Sequence, residues 1–228
     1  MSSALIWLLD SATVAVLLAY ELYFAWFERS RPQRSARSAH ARMREDWFLA
    51  LSTQKGSELL LVQTLRNSLM SATMTASTAA LGLIGTVTIS ASALHDTFEH
   101  PSPTVSGIPP RLALELVLLG LLFGSLVSSV MAVRFYNHAG FIGGMPVGSP
   151  DRKRWSAVGT KYVRRAGILY SWGLRHLVIV APVLAAILHP AAGPIAAVLV
   201  VALLMHFDQV RAHEEPAGEA DRIVPPQD

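Results

Sequence analysis

Two trios of polar side chains share one spacing in this sequence: Gln63, Arg66 and Asn67, then Arg134, Asn137 and His138, each at i, i+3 and i+4. On an α-helix that spacing puts all three members on one face. A guanidinium flanked by an amide or an imidazole is suited to binding a phosphate or carboxylate through charge-assisted hydrogen bonds. Arg175 with His176, and His206 with Asp208, add four more polar groups near the ends of apolar stretches. Together they would form a polar cluster at the mouth of a helix bundle. This would be a hydrated vestibule or a site for an anion or lipid headgroup, with Arg66 and Arg134 as donors. The plainer use of the same residues is anchoring at a membrane interface and pairing between helices.

The elements that must position these groups are apolar. Between Arg66 and Asp96 lie 29 residues without Asp, Glu, Lys or Arg, more than the roughly 20 that an α-helix needs to cross a hydrocarbon core about 30 Å thick. This stretch carries Asn67, Ser71, Thr75, Thr78, Gly82, Thr86 and Ser90 at steps of three and four, so small or polar groups recur along one face. That face is expected to meet protein and not lipid. Its common use is close helix packing, with the hydroxyls bonded to their own helix; the alternative is a narrow lining for a small solute.

Further spans are expected at about 4–27, 112–133, 171–189 and 191–207, beside 67–94. The last two follow from 32 uncharged residues between Arg175 and Asp208, broken by Pro190, Gly193 and Pro194. The fold class is therefore all-α, a polytopic membrane helix bundle of about five spans, the alternative being four spans and a re-entrant hairpin. Residues 1–210 form one transmembrane domain, and 211–228, polar and Pro-containing, form a disordered tail. In the first span, Tyr20, Tyr23, Phe24, Trp26 and Phe27 have the character of an interfacial aromatic belt, with Trp7 at the other interface. Asp10 and Glu21 lie inside the same span, where a charge either sits near an interface or faces protein or water.

The basic residues give the orientation. Of the 19 Lys and Arg, 17 fall on one side of this scheme, with Arg111 opposite and Arg175 just inside. By the positive-inside rule the loops after the first and third spans are cytoplasmic, the amino terminus is outside and the carboxyl terminus inside. The membrane is the cell inner (plasma) membrane, and the basic loops would meet anionic lipids. Within the first loop, REDWFLAL (Arg44 to Leu51) suits a helix lying on the membrane surface. The outer segment from His95 to Arg111 reads as an exposed loop. Its His95, Asp96, Glu99 and His100 lack a recognised ligand spacing, so no metal is expected there.

Composition excludes several function classes. The chain of 228 residues is 52% hydrophobic and 15% charged, well below the roughly 25% charge of soluble proteins. A net charge of +3 confined to loops beside apolar spans points to topology and not to nucleic acid. Cysteine is absent, which removes disulfides, Cys-ligated metal, iron–sulfur clusters and palmitoylation. No nucleotide-binding loop, zinc-protease helix or nucleophile elbow occurs, so no catalytic residue is named. His176 and His206 fall at matching depth in facing spans and could hold a b-type haem. Nothing suggests the Gly-rich clearance a porphyrin needs, and no cofactor is expected. The same register brings Arg175 level with Asp208 across the final hairpin, predicting an ion pair there, with Arg66 as the rival partner for Asp208.

VQTLRNSLM (Val62 to Met70), with Arg44 and Trp47 before it and RFYNHAGFIGG (Arg134 to Gly144) and Asp208 after it, resembles the domain of unknown function 599 (DUF599) membrane family. The resemblance runs from about Tyr20 to Val210 and implies a multispan membrane protein of bacteria and plants with no established activity. It supplies no catalytic residue. The expected function is permeation or transport of a small polar solute or ion; the alternatives are a membrane assembly or scaffolding subunit, alone or as a homo-oligomer, and a haem-binding redox subunit. The orientation predicts that cysteines introduced at Ser38 and Ser156 resist an impermeant thiol reagent in intact cells while one at Ser102 reacts; the reverse labelling contradicts it.

Overall fold

The computed structural model describes residues 2–30, 35–99 and 109–208, which form six α-helices and no strand ladder. They are α1 (Ser3–Ser30), α2 (Ala36–Thr53), α3 (Glu58–Glu99), α4 (Pro110–Gly143), α5 (Pro150–Leu188) and α6 (Ala192–Asp208). α1, α3, α4 and α5 are each long and apolar enough to cross a membrane. α6 has 17 residues, about 25 Å at 1.5 Å per residue, and returns antiparallel along α5 from a turn at His189–Ala191. The tail beyond Asp208, His100 and most of the segment after it lie outside the described residues.

The helices outrun the expected spans. α3 has 42 residues and α5 has 39, about 60 Å each, so both project well beyond a hydrocarbon core. The basic segment after the third span, expected as a loop, is helix on both sides of a short connection at 144–149. Pro150 stands in the first turn of α5, where its missing N–H costs nothing, and the Ser149 side chain accepts from the Arg152 backbone N–H at 3.2 Å. Arg152 is buried and donates to the carbonyls of Ile142, Gly143 and Met145, the last turn of α4 and its exit. A cation on a helix C-terminus satisfies carbonyls that have no partner within the helix. Glu58 accepts from the Val147 N–H at 3.0 Å, tying the start of α3 to the same corner.

Two apolar cores result. At the basic end, Phe48 of α2, Leu61 and Leu65 of α3, Tyr136, Ala139 and Ile142 of α4, and Val163 and Ala166 of α5 pack together. The other core joins Leu17 of α1, Leu114, Leu118 and Leu122 of α4, Ile179, Val180 and Val183 of α5, and Ala197 of α6. α3 packs mainly on α4 and stands at the margin of the bundle.

Three expectations need correcting. The REDWFLAL helix does not lie with its apolar face toward lipid: Phe48 is 0% exposed and Trp47 packs on the same basic-end core. An amphipathic helix looks alike from sequence whether its partner is a bilayer or a protein groove. His95–Glu99 continues α3 and is not loop. The polar stripe of α3 is not one buried face. Thr75 and Ser90 are buried and Gly82 and Thr86 half-buried, but Asn67, Ser71 and Thr78 are exposed. Leu83, next to Gly82, packs against the second core. Ser71 and Thr78 stand one position from the buried Ala72 and Ala79, whereas Gly82 lies against Leu122 of α4. The hydroxyls of Ser71, Thr75, Thr78 and Thr86 each donate to a carbonyl one turn earlier; bonded in this way, they need no neighbour.

Close approach in the basic-end core depends on Gly159, where a Cβ would lie 2.6 Å from Cζ of Phe48 and 3.1 Å from Ile142. Overpacking at such a site costs about 1 to 3 kcal/mol. Gly159→Ala is expected to lower the melting temperature in detergent, whereas Gly85→Ala, which meets nothing within 4 Å, should be neutral or slightly stabilising; equal tolerance at both positions would refute this packing.

Candidate functional site: a shared guanidinium where α1, α5 and α6 meet

Arg175, midway along α5, is 5% exposed. A buried guanidinium is tolerable only if paired and hydrogen-bonded, and here every nitrogen is used. Its Nε donates to Glu21 of α1 at 3.0 Å. Its Nη2 lies 2.6 Å from Oδ2 of Asp208, the last residue of α6, and Nη1 lies 3.5 Å from Oδ1. Nη2 also donates to the Tyr20 hydroxyl, which in turn donates to Asp208. One cation thus holds three helix segments through two carboxylates and a phenol. The sequence of α1 permits this because Tyr20 and Phe24 are one turn apart on its buried face, Glu21 flanks them, and Tyr23 and Trp26 point outward. The aromatic belt therefore divides into an outward pair and an inward pair.

A second guanidinium lies close by. Arg37 of α2 pairs with Glu28 at 3.0 Å, and its Cζ lies 4.4 Å from the centroid of the Trp172 ring and 4.7 Å from that of Phe24. Arg175 approaches Phe24 at 3.7 Å, so two cations flank one ring, an arrangement favoured by its negative π faces. Burial pushes the Arg37 pKa down and Glu28 opposes that shift; among fixed charges the group holds Arg37 and Arg175 against Glu21, Glu28 and Asp208.

The ten polar residues expected at one mouth separate into different places. Arg175 and Asp208 meet, and the rival partner Arg66 is not among the contacts of Asp208. His176 packs on Trp172, with a ring separation of 5.6 Å, and fills space left by Gly124, whose added Cβ would stand 3.2 Å from its Nδ1. His206 is exposed beside Phe207. The two imidazoles do not face a common space as a haem pair would. Arg66 and Asn137 line a separate groove of 380 Å³ between α3 and α4, with Tyr136 and Phe141. His138 turns instead toward Tyr162 of α5, at 5.8 Å. Gln63, Asn67 and Arg134 are exposed. Among the described residues no three His, Cys, Asp or Glu side chains converge as a metal site.

Tyr20, Glu21, Phe24, Arg37 and Glu28 were not among the candidate residues. Glu21 carried a signal, as a carboxylate inside a span, about two helical turns from Arg29 at the span's basic end. Arg37 carried none, because nothing separates it from the other arginines of its loop.

The family described as Protein of unknown function, DUF599, matches residues 8–212. The chain belongs to it. DUF599 thus spans all of α1 but its first turn and everything through α6, including every member of the Arg175 network. No curated protein and no solved structure matches the chain.

Removing one partner of a buried charge pair strands the other, at a cost of about 3 to 5 kcal/mol. Arg175→Gln should therefore lose that order of stability in detergent melting, Asp208→Asn less because Glu21 remains, and the double variant less than the sum; strictly additive losses would show that the two side chains do not support each other.

Proposed function

We propose that this DUF599 protein is a membrane permeation or transport protein for a small polar solute or ion, and that the Arg175 network is its gate. The observation that carries the reading is the sharing of one buried guanidinium among α1, α5 and α6. Ionisable groups inside a membrane bundle are costly and are typically found on ion or solute pathways and relays. An interaction concentrated on one cation between three helices also gives a two-state element, because withdrawal of the shared guanidinium would loosen all three together. The proposed route follows the junction of α1, α5 and α6 and not the polar stripe of α3, whose hydroxyls are bonded within their own helix.

The basic end is proposed to be cytoplasmic, in the inner membrane, with α6 as a fifth crossing. Exposed Lys153, Arg154, Lys161 and Arg165 at that end suit contact with anionic headgroups.

Assembly is the second reading, favoured by the free face of α3. Ser71, Thr73, Ser77, Thr78 and Thr88 are exposed along a helix at membrane depth, interspersed with Met74, Leu81 and Ile84. Such a face suits a second copy of the chain or another membrane protein better than it suits lipid.

Stopped-flow swelling of proteoliposomes in urea, glycerol, ammonium and potassium salts distinguishes the two. Transport predicts faster swelling than protein-free vesicles for at least one solute and a change of about tenfold or more in that rate for Asp208→Asn. Vesicles that match the empty control for every solute, with wild type and variant alike, would contradict transport and leave assembly.

A further inference from the structure

At the end of the bundle away from α2, α1 and α4 line an open groove of 320 Å³ whose walls include Trp7, Asp10, Leu18, Pro110 and Val117. All but Asp10 of these are apolar or aromatic. Asp10 is 4% exposed, and its Oδ1 is buried without a hydrogen-bond partner. The groups that could have served it are used elsewhere. The Thr13 hydroxyl donates to the Leu9 carbonyl at 3.0 Å. Arg111, the one Lys or Arg between Arg66 and Arg134, holds Glu115 at 3.1 Å. Among the described residues, no cation or donor is paired with this carboxylate oxygen.

We propose that this groove binds an organic ammonium ion, with Asp10 as its counter-charge. A buried carboxylate with an unpartnered oxygen calls for a cation or a donor. The apolar walls call for a ligand whose charge is carried on carbon substituents, because a strongly hydrated metal ion would find one carboxylate where it needs several oxygens. The Trp7 indole adds a π face of the kind that binds alkylammonium groups. Ser11, Ala15 and Leu18 border the opening and are exposed on the outer surface of α1, so a ligand that partitions into a bilayer can enter from the side. The inference concerns equilibrium binding and holds whether or not the bound cation is moved across the membrane.

Calorimetric titration of the purified full-length protein with benzyltrimethylammonium tests it, with benzyl alcohol as a neutral aromatic probe. Wild type should bind the cation saturably, Asp10→Asn at least tenfold more weakly, and Asp10→Glu within a few-fold of wild type. Benzyl alcohol should not distinguish wild type from Asp10→Asn. If Asp10→Asn fails to fold, the cation should still raise the melting temperature of wild type and Asp10→Glu while benzyl alcohol does not. Absence of saturable binding to wild type, equal binding by Asp10→Asn, or benzyl alcohol binding as tightly as the cation would each overturn the proposal, the last by showing an apolar groove only.

Discussion

A guanidinium that is 5% exposed in the middle of a bundle forces the chain around it to supply anions, because an unpaired charge in a low-dielectric interior costs several kcal/mol after relaxation. Glu21 and Asp208 supply them from two other helices, and the Tyr20 hydroxyl adds a neutral acceptor. α6 is short and ends at Asp208, so its free end is fixed in part by this contact. Phe24, flanked by Arg175 and Arg37, extends the same constraint to α2, and through Phe48 to the basic-end core. Packing of α4 on α5 is arranged around the same level. Ser125 donates to the Gly173 carbonyl at 2.8 Å, and Gly124 makes room for His176.

The charge layer lies between the two apolar cores. On one side, α1, α4, α5 and α6 bury aliphatic side chains; on the other, α2, α3, α4 and α5 pack around Phe48, Leu61 and Tyr136. Helices of about 40 residues run through both without a break. Motion at the charge layer would therefore be carried into the basic-end bundle by α5, which is common to both.

What could be read from the sequence was set by the range of the physics involved. Apolar length pointed to about five spans, since that property is local, and four of them are helices long and apolar enough to cross a membrane, the fifth being the shorter α6. The pairing of Arg175 with Asp208 was legible because the tight turn at His189–Ala191 fixes the register of both helices of the hairpin by counting. Helix faces were less legible. Polar residues at steps of three and four on α3 suggested a buried face, but Ser71 and Thr78 are exposed while the neighbouring Ala72 and Ala79 are buried, and a shift of one residue turns a helix by about 100°. The role of Arg37 depends on two rings distant in sequence, and Phe48 on a groove between helices; no local pattern encodes either.

The central claim is that one shared cation holds the ends of α1 and α6 together, and a distance measurement addresses it directly. The natural chain has no cysteine, so spin labels can be placed on the outward-facing Leu22 of α1 and Phe207 of α6, both exposed and outside the network. Pulsed electron-electron resonance in lipid nanodiscs should give one narrow distance distribution for the otherwise native protein and a broader, longer one when Arg175 is replaced by Gln. The same narrow distribution in both would contradict the account, since α6 would then be held without the guanidinium.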